Sequence, residues 1–87
     1  MKVSRVEIVP VRPNHGLIGF ASVELDGQLL LNSIGIFSRR DGRGYRLTYP
    51  TRQGGDAEIT VFHPIRPDLS KAIEAEVFDR ARQVFEP

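Results

Sequence analysis

Apolar and polar residues alternate along the first two thirds of the chain, a pattern that predicts β-strands because successive strand side chains point to opposite faces. The first such segment, residues 3–11, is rich in β-branched residues: Val3, Val6, Ile8, Val9 and Val11. Proline cannot donate a backbone hydrogen bond, so Pro10 and Pro13 either confine this strand to a sheet edge or end it early. We therefore expect a peripheral first strand.

The clearest local signal is Asp26-Gly27, which lies between two apolar segments, residues 17–25 and 28–38. This dipeptide supplies the two positive φ angles of a type I′ turn, so we predict a β-hairpin in which Leu25 pairs with Gln28. The further pairs on that face are Val23/Leu30, Ala21/Asn32, Gly19/Ile34 and Leu17/Ile36. The opposite face is too apolar to remain in water. Its apolar residues are Ile18, Phe20, Leu29, Leu31 and Phe37.

Two shorter strands are predicted after the hairpin. Residues 39–44 contain two glycines and predict a mobile turn. Residues 45–49 alternate between apolar and polar, which places two tyrosines on one side of a strand and Arg46 on the other. Residues 51–56 predict a loop, and residues 57–62 predict a final strand. The sheet would then have four or five strands.

A single helix is predicted near the C-terminus. Pro67 fits the first helical turn, and Asp68 there meets the positive end of the helix dipole. Apolar residues then recur at three- and four-residue steps: Leu69, Ile73, Val77, Ala81 and Val84, with Phe78 and Phe85 beside them. One helix covers one side of a small sheet but not both. The fold class is therefore α+β, and we expect a second copy of the chain to cover the other sheet face in a homodimer.

Length and composition agree with one small globular domain, residues 1–87, with 40% hydrophobic and 26% charged residues. The absence of cysteine excludes disulfides, a thiolate metal site and a cysteine nucleophile, and it makes the cytoplasm the expected location. No apolar block is long enough for a signal peptide or a membrane span, so we expect no membrane association.

Charge is unevenly distributed, although the formal net charge is only +1. Residues 39–52 contain five arginines and one acid, a balance of 5 − 1 = +4, whereas residues 68–87 contain three basic and five acidic residues, a balance of −2. The guanidinium fork suits phosphate oxygens. This basic segment indicates either a phosphate-binding surface or a solvated face with salt bridges.

The arginines suggest nucleic-acid binding if the fold brings them together. Arg39, Arg40 and Arg43 lie on one predicted turn and Arg52 on the next loop, so we expect both to line the same end of the sheet. The two tyrosines of residues 45–49 could stack on bases there, although alternating aromatics are more often core residues.

The residues that could support catalysis are few. His15 lies in a predicted loop and His63 precedes a proline, and neither is part of a nucleophile or metal-ligand motif. We therefore expect no enzymatic activity, no catalytic residue, no metal, no cofactor and no small-molecule substrate.

Four segments in order carry a family resemblance. They are Asn32-Ser33-Ile34-Gly35-Ile36, then Gly44-Tyr45-Arg46-Leu47-Thr48-Tyr49-Pro50-Thr51-Arg52, then Asp56-Ala57-Glu58-Ile59, and Phe62-His63-Pro64-Ile65 before the helix. The most specific parts are Pro50-Thr51-Arg52 and His63-Pro64-Ile65. With the opening strand, the early hairpin and the terminal helix, the likeness spans nearly the whole chain. The chain resembles the stage V sporulation protein G (SpoVG, septation regulator) family.

The resemblance implies a bacterial regulatory protein that dimerises through its sheet and binds DNA or RNA without a cofactor. It assigns phosphate contact most directly to Arg52. Gln53 replaces a second basic residue of the family, Tyr49 replaces a methionine, and residues 69–72 lack its usual basic pattern. These departures imply either weaker binding or a contact surface moved toward the predicted turn.

The expected nucleic-acid contacts are Arg52 and the turn residues Arg39, Arg40 and Arg43, supported by Arg66 and Lys71. The alternative is a dimeric protein-interaction module whose arginines form a solvated surface or meet an acidic partner.

Overall fold

Six strands and one helix follow one another along the chain, and the computed structural model describes residues 1–87. The elements are β1 (Val3–Asn14), β2 (Leu17–Leu25), β3 (Leu29–Ser38), β4 (Tyr45–Thr48), β5 (Thr51–Gly54), β6 (Ala57–Thr60) and α1 (Pro67–Phe85). The first four strands form an antiparallel sheet in the order β1-β2-β3-β4, and β5 and β6 form a separate two-stranded hairpin. The predicted α+β class is confirmed. No helix combines the length and the hydropathy needed to cross a membrane.

β1 is an edge strand, as its prolines predicted. It does not end at Val11 but continues past Pro13 to Asn14. An edge strand tolerates proline because one side of its backbone needs no sheet partner. The pairing with β2 is nevertheless irregular between Pro10 and Asn14, where the register shifts.

The β2–β3 hairpin turns at the predicted dipeptide, with φ angles of 53° at Asp26 and 64° at Gly27. Its predicted register was wrong, because Leu25 pairs with Leu29 and not with Gln28. Gln28 instead closes the turn, donating its backbone N–H to the carbonyl of Leu25 at 2.9 Å. The connection therefore contains one residue more than a two-residue turn.

A bulge in β3 adds a second register change. Val23 pairs with Leu31 but Ala21 pairs with Ile34, so β3 has one residue more than β2 in this interval. The additional length is accommodated at Ser33, whose φ of 67° is in the left-handed region. Because a one-residue shift exchanges the faces of a strand, the bulge lets Leu31 and Ile34 point to the same side.

The face of the sheet opposite α1, the outer face, consequently carries a different set of apolar residues from the one predicted. Leu29 and Leu31 lie on the helix side, where they share an apolar groove with Leu69. Ile18 also packs against the core and was wrongly assigned to the outer face. The large exposed apolar side chains of the outer face are Val9 (62% exposed), Phe20 (38%) and Leu30 (56%). Polar pairs separate them: Arg5 with Glu7, and Ser22 with Asn32.

The β5–β6 hairpin corrects two predictions. Residues 51–56, predicted as a loop, contain β5, and the final strand ends at Thr60. The two strands pair with each other and not with the main sheet. The side chains of β5 are exposed, so its sequence does not alternate between apolar and polar residues as a half-buried strand does. The strand is held by backbone pairing with β6 around Gly55 (φ 67°).

The helix α1 covers the other face of the sheet as its apolar stripe predicted. Ile73, Val77 and Ala81 are each 0% exposed. They meet a set of buried sheet residues: Ala21, Val23, Leu25, Ile34, Ile36 and Tyr45. Val84 is only half-buried, and Leu69, Phe78 and Phe85 pack around this core. The helix thus uses nearly all of its apolar stripe to cover one side.

Both tyrosines belong to this core, which removes their rings from base stacking. The Tyr45 ring centroid lies 6.2 Å from that of Phe78 and 6.3 Å from that of Phe85, and the Tyr49 ring packs edge-on against Phe62. Burial raises the pKa of Tyr45 to about 12, and the hydrogen bond that its hydroxyl donates to Glu86 adds to the increase. Burial also raises the pKa of Tyr49.

Candidate nucleic-acid interface

Two turns meet at one end of the main sheet and line an open depression of about 770 Å³. The β1–β2 turn and the end of β3 are joined by a hydrogen bond from the backbone N–H of Ser38 to the carbonyl of Gly16, at 2.9 Å. The lining residues are His15, Gly16, Phe37, Ser38, Arg39, Arg40 and Arg46. This lining contains three arginines and no acidic residue, so it is suited to an anion.

The β3–β4 turn, residues 39–44, has a defined backbone. Arg39 donates its N–H to the carbonyl of Gly44 at 3.1 Å and accepts from the N–H of Gly42 at 2.9 Å. Gly42 and Gly44 have φ angles of 73° and 97°, which glycine adopts without strain. The Asp41 carboxylate accepts the backbone N–H of Arg43 at 2.9 Å. The only acid of the turn is therefore engaged with the backbone, as is common for aspartate in turns.

Arg46 and Phe37 form the aromatic part of the depression. They are opposite each other on neighbouring strands, and the Arg46 guanidinium lies 4.7 Å from the centroid of the Phe37 ring. This distance is within the range of a cation–π contact. Gly35 makes room for the ring, because a Cβ there would lie only 3.3 Å from Phe37 Cε2. The ring also lies near Gly16, where a Cβ would be at an ordinary contact distance of 3.6 Å from Phe37 Cδ1. Arg46 is thus positioned by the sheet itself.

We call Arg39, Arg40, Arg43 and Arg46 the basic cluster. All four are exposed, and none of the three ion pairs in the structure involves them. A guanidinium without a carboxylate partner keeps its N–H donors available to an anionic ligand. The alternative expected from the sequence, a solvated face whose arginines form salt bridges, is therefore not observed at this site.

The structure does not bring Arg52 to the basic cluster. The β3–β4 turn precedes β4 and Arg52 follows it, so they lie beyond opposite ends of a four-residue strand, about 13 Å at 3.3 Å per residue. The expectation that both line the same end of the sheet was wrong. Arg52 pairs across the hairpin with Ile59, and residues 51–60 also contain Asp56 and Glu58, a local charge of 1 − 2 = −1.

Arg66 and Lys71 also lie far from the basic cluster. The C-terminal end of α1 is near the cluster, since Tyr45 contacts Phe85. The N-terminal end lies near the β2–β3 turn, since Leu69 shares a groove with Leu29. Arg66 precedes the helix and forms an exposed ion pair with Asp68 at 3.4 Å, and Lys71 is exposed on its second turn. These two residues form no continuous surface with the predicted turn.

His15, Phe37 and Arg46 are among the residues of the depression that sequence reasoning missed. The signal for Arg46 was its alternation with the tyrosines, which placed it on the opposite side of the strand from them but did not identify Phe37 as its neighbour. His15 adopts φ 52° in a turn whose proximity to β3 is a tertiary feature. His63 is exposed, with Nδ1 3.2 Å from the Pro64 carbonyl oxygen. No group of three His, Asp or Glu side chains converges as a metal site requires.

No protein-family model matches the chain, and no curated protein matches it. The resemblance to the SpoVG family therefore depends on the segments quoted from the sequence.

Proposed function

We propose that this protein is a regulatory nucleic-acid-binding protein that contacts phosphates through the basic cluster, as its resemblance to the SpoVG family implies. The observation that carries the proposal is the depression at the end of the sheet, whose lining contains three arginines and no acidic residue. Phosphate oxygens are the ligands that a guanidinium fork binds best. Arg43 is exposed on the same turn but is not part of the lining, whereas Arg52, Arg66 and Lys71 would make separate, secondary contacts.

An acidic protein partner is the alternative ligand for the same charges. The two differ in salt dependence, because a protein that neutralises phosphates releases condensed counterions. For the protein itself we expect measurable binding to random duplex DNA, single-stranded DNA and RNA at low salt, with an affinity that falls steeply as salt increases. A protein-interaction module would show no such binding.

The first prediction concerns single arginines of the basic cluster. Replacing Arg40 by Ala is expected to weaken binding to all sequences by similar factors, because phosphate contacts carry no sequence information. The slope of log affinity against log salt should decrease by about one, or by about two in a symmetric dimer that uses both copies. Fluorescence anisotropy across a salt series measures both quantities. An exposed turn substitution changes stability by less than about 0.5 kcal/mol, so unfolding would not explain the loss.

Arg80→Ala and Arg82→Ala are the matched controls, because these arginines lie on α1 beside Asp79 and Glu76. They should leave the slope unchanged. Arg52→Ala tests the position that the family resemblance favours and should have a smaller effect than Arg40→Ala. The basic-cluster proposal fails if the helix substitutions abolish binding while Arg40→Ala leaves affinity and slope unchanged.

We also propose that the protein is a homodimer that associates through its sheet. Val9, Phe20 and Leu30 remain exposed on the outer face, which α1 does not cover. Val9 lies on the edge strand β1, at the opposite edge of the sheet from β4 and Arg46, so an interface centred on these side chains is compatible with an open basic cluster.

The second prediction is a dimer at micromolar concentration, since burial of these side chains would favour association. Sedimentation equilibrium should give twice the chain mass of 9.8 kDa. Phe20→Glu should shift the equilibrium toward the monomer, because it places a charge in the contact. A wild-type species that stays at the monomer mass throughout this concentration range would contradict the proposal.

A further inference from the structure

We infer that the basic cluster binds single-stranded nucleic acid, with an unpaired base stacked on the Arg46 guanidinium and adjacent phosphates held by Arg39 and Arg40. This inference rests on the proposed function and specifies its ligand. It is carried by the combination of a fixed cation–aromatic pair and two further arginines in one depression.

The Phe37–Arg46 pair provides a flat surface of the kind on which bases stack. The guanidinium is planar, and its contact with the ring leaves its other face available because Arg46 is exposed. None of the three ion pairs involves Arg46, so no paired carboxylate competes with a ligand for its guanidinium. Guanidinium planes and aromatic rings are the side chains on which unstacked bases are held in single-strand recognition.

The position of the pair is maintained by the sheet and not by loop conformation. Phe37 and Arg46 are register partners in β3 and β4, and the Phe37 ring lies against Gly16 and Gly35. A rigid aromatic support keeps the guanidinium oriented, so less conformational entropy is lost when a base binds. Arg39 and Arg40 on the adjacent turn are placed to contact the phosphates that flank that base.

This arrangement discriminates by strandedness. Duplex bases are already stacked and paired, so a duplex offers the cluster only its phosphates, whereas a single strand offers phosphates and base faces. Stacking on one side-chain platform contributes about 1–3 kcal/mol per base, a factor of about 5 to 150 in affinity. Every base has a π face, so the preference extends to single-stranded DNA and RNA alike and is tolerant of sequence.

The test compares oligonucleotides that differ only in their bases. Fluorescence anisotropy at one salt concentration would measure binding of the full chain to a single-stranded DNA of about 12 nucleotides, to the RNA of the same sequence, to an abasic DNA backbone of equal length and to the corresponding duplex. We expect the intact single strands to bind at least about fivefold more tightly than the abasic strand. The ratio of DNA to RNA affinity shows whether the sugar contributes.

Two substitutions identify the platform. Phe37→Leu keeps an apolar group against the glycines but removes the ring, and Arg46→Lys keeps the charge but removes the planar guanidinium. Both should bring the ratio of intact to abasic affinity close to one, whereas Arg80→Lys should leave that ratio unchanged. Equal binding of the intact and abasic strands by the wild-type protein would overturn this inference and leave the proposed phosphate contacts standing. Absence of binding to all four ligands would overturn both.

Discussion

Replacing Ile73 by Ala is expected to lower the free energy of unfolding by about 3 kcal/mol, because this side chain is 0% exposed at the centre of the contact between α1 and the sheet. The deletion removes apolar contacts and leaves a cavity that the surrounding side chains fill only in part. The better helix propensity of alanine offsets less than about 0.7 kcal/mol of this loss. A domain of this size has a total stability of roughly 4–13 kcal/mol, so the loss is a large fraction of it.

Ile65→Ala is the matched control, since it deletes the same atoms from a side chain that is 85% exposed. Its effect should stay within about 0.5 kcal/mol. Urea unfolding followed by circular dichroism, at one fixed protein concentration because a dimer gains stability with concentration, compares the two variants. Equal effects of the two substitutions would show that the helix does not pack on the sheet as described.

Local sequence signals predicted the helix and the hairpin turn because each is determined by neighbouring residues. Pro67 and Asp68 mark the helix start, and α1 begins at Pro67. Asp26-Gly27 has the positive φ angles that a type I′ turn requires. In both cases, the favoured local conformation and the tertiary structure agree.

The strand faces could not be predicted because they depend on register. The additional turn residue Gln28 and the bulge at Ser33 each shift β3 by one position, and no residue type in the chain specifies either shift alone. β3 places apolar residues on both of its faces in either register. Its sequence pattern therefore did not indicate which register forms. The register of β3 determines how much apolar surface the sheet leaves exposed to a partner.

The candidate site was predictable in part for the same reason. Arg39, Arg40 and Arg43 lie on one short turn, so the sequence alone was enough to predict that they are close together. Arg46 joins them only through strand pairing with Phe37, and Arg52 is separated from them because a strand carries its two flanking loops to opposite ends. The charge balance of residues 39–52 therefore combined two regions that the fold places apart.

Reversing two charges of the basic cluster should have the largest effect on binding. The double variant Arg39→Glu with Arg40→Glu removes two phosphate contacts and places two carboxylates beside the remaining arginines. A hydrogen bond to a charged group contributes about 1.5–3 kcal/mol. The loss of two such bonds is therefore expected to weaken binding by a factor of about 100 or more. The salt slope should decrease by about two for each chain that contacts the ligand.

The double variant Arg80→Glu with Arg82→Glu is the decisive control, because it changes the net charge by the same amount on α1, which packs against the face of the sheet opposite Arg46. Long-range repulsion between the protein and phosphates would weaken binding equally in both double variants, whereas direct contact confines the large effect to the turn. Circular dichroism must first show that both variants are folded, since Arg82 pairs with Asp79 near the end of α1. If the two variants lose the same affinity and the same salt slope, binding is governed by net charge, and the depression between the β1–β2 and β3–β4 turns is not the contact site.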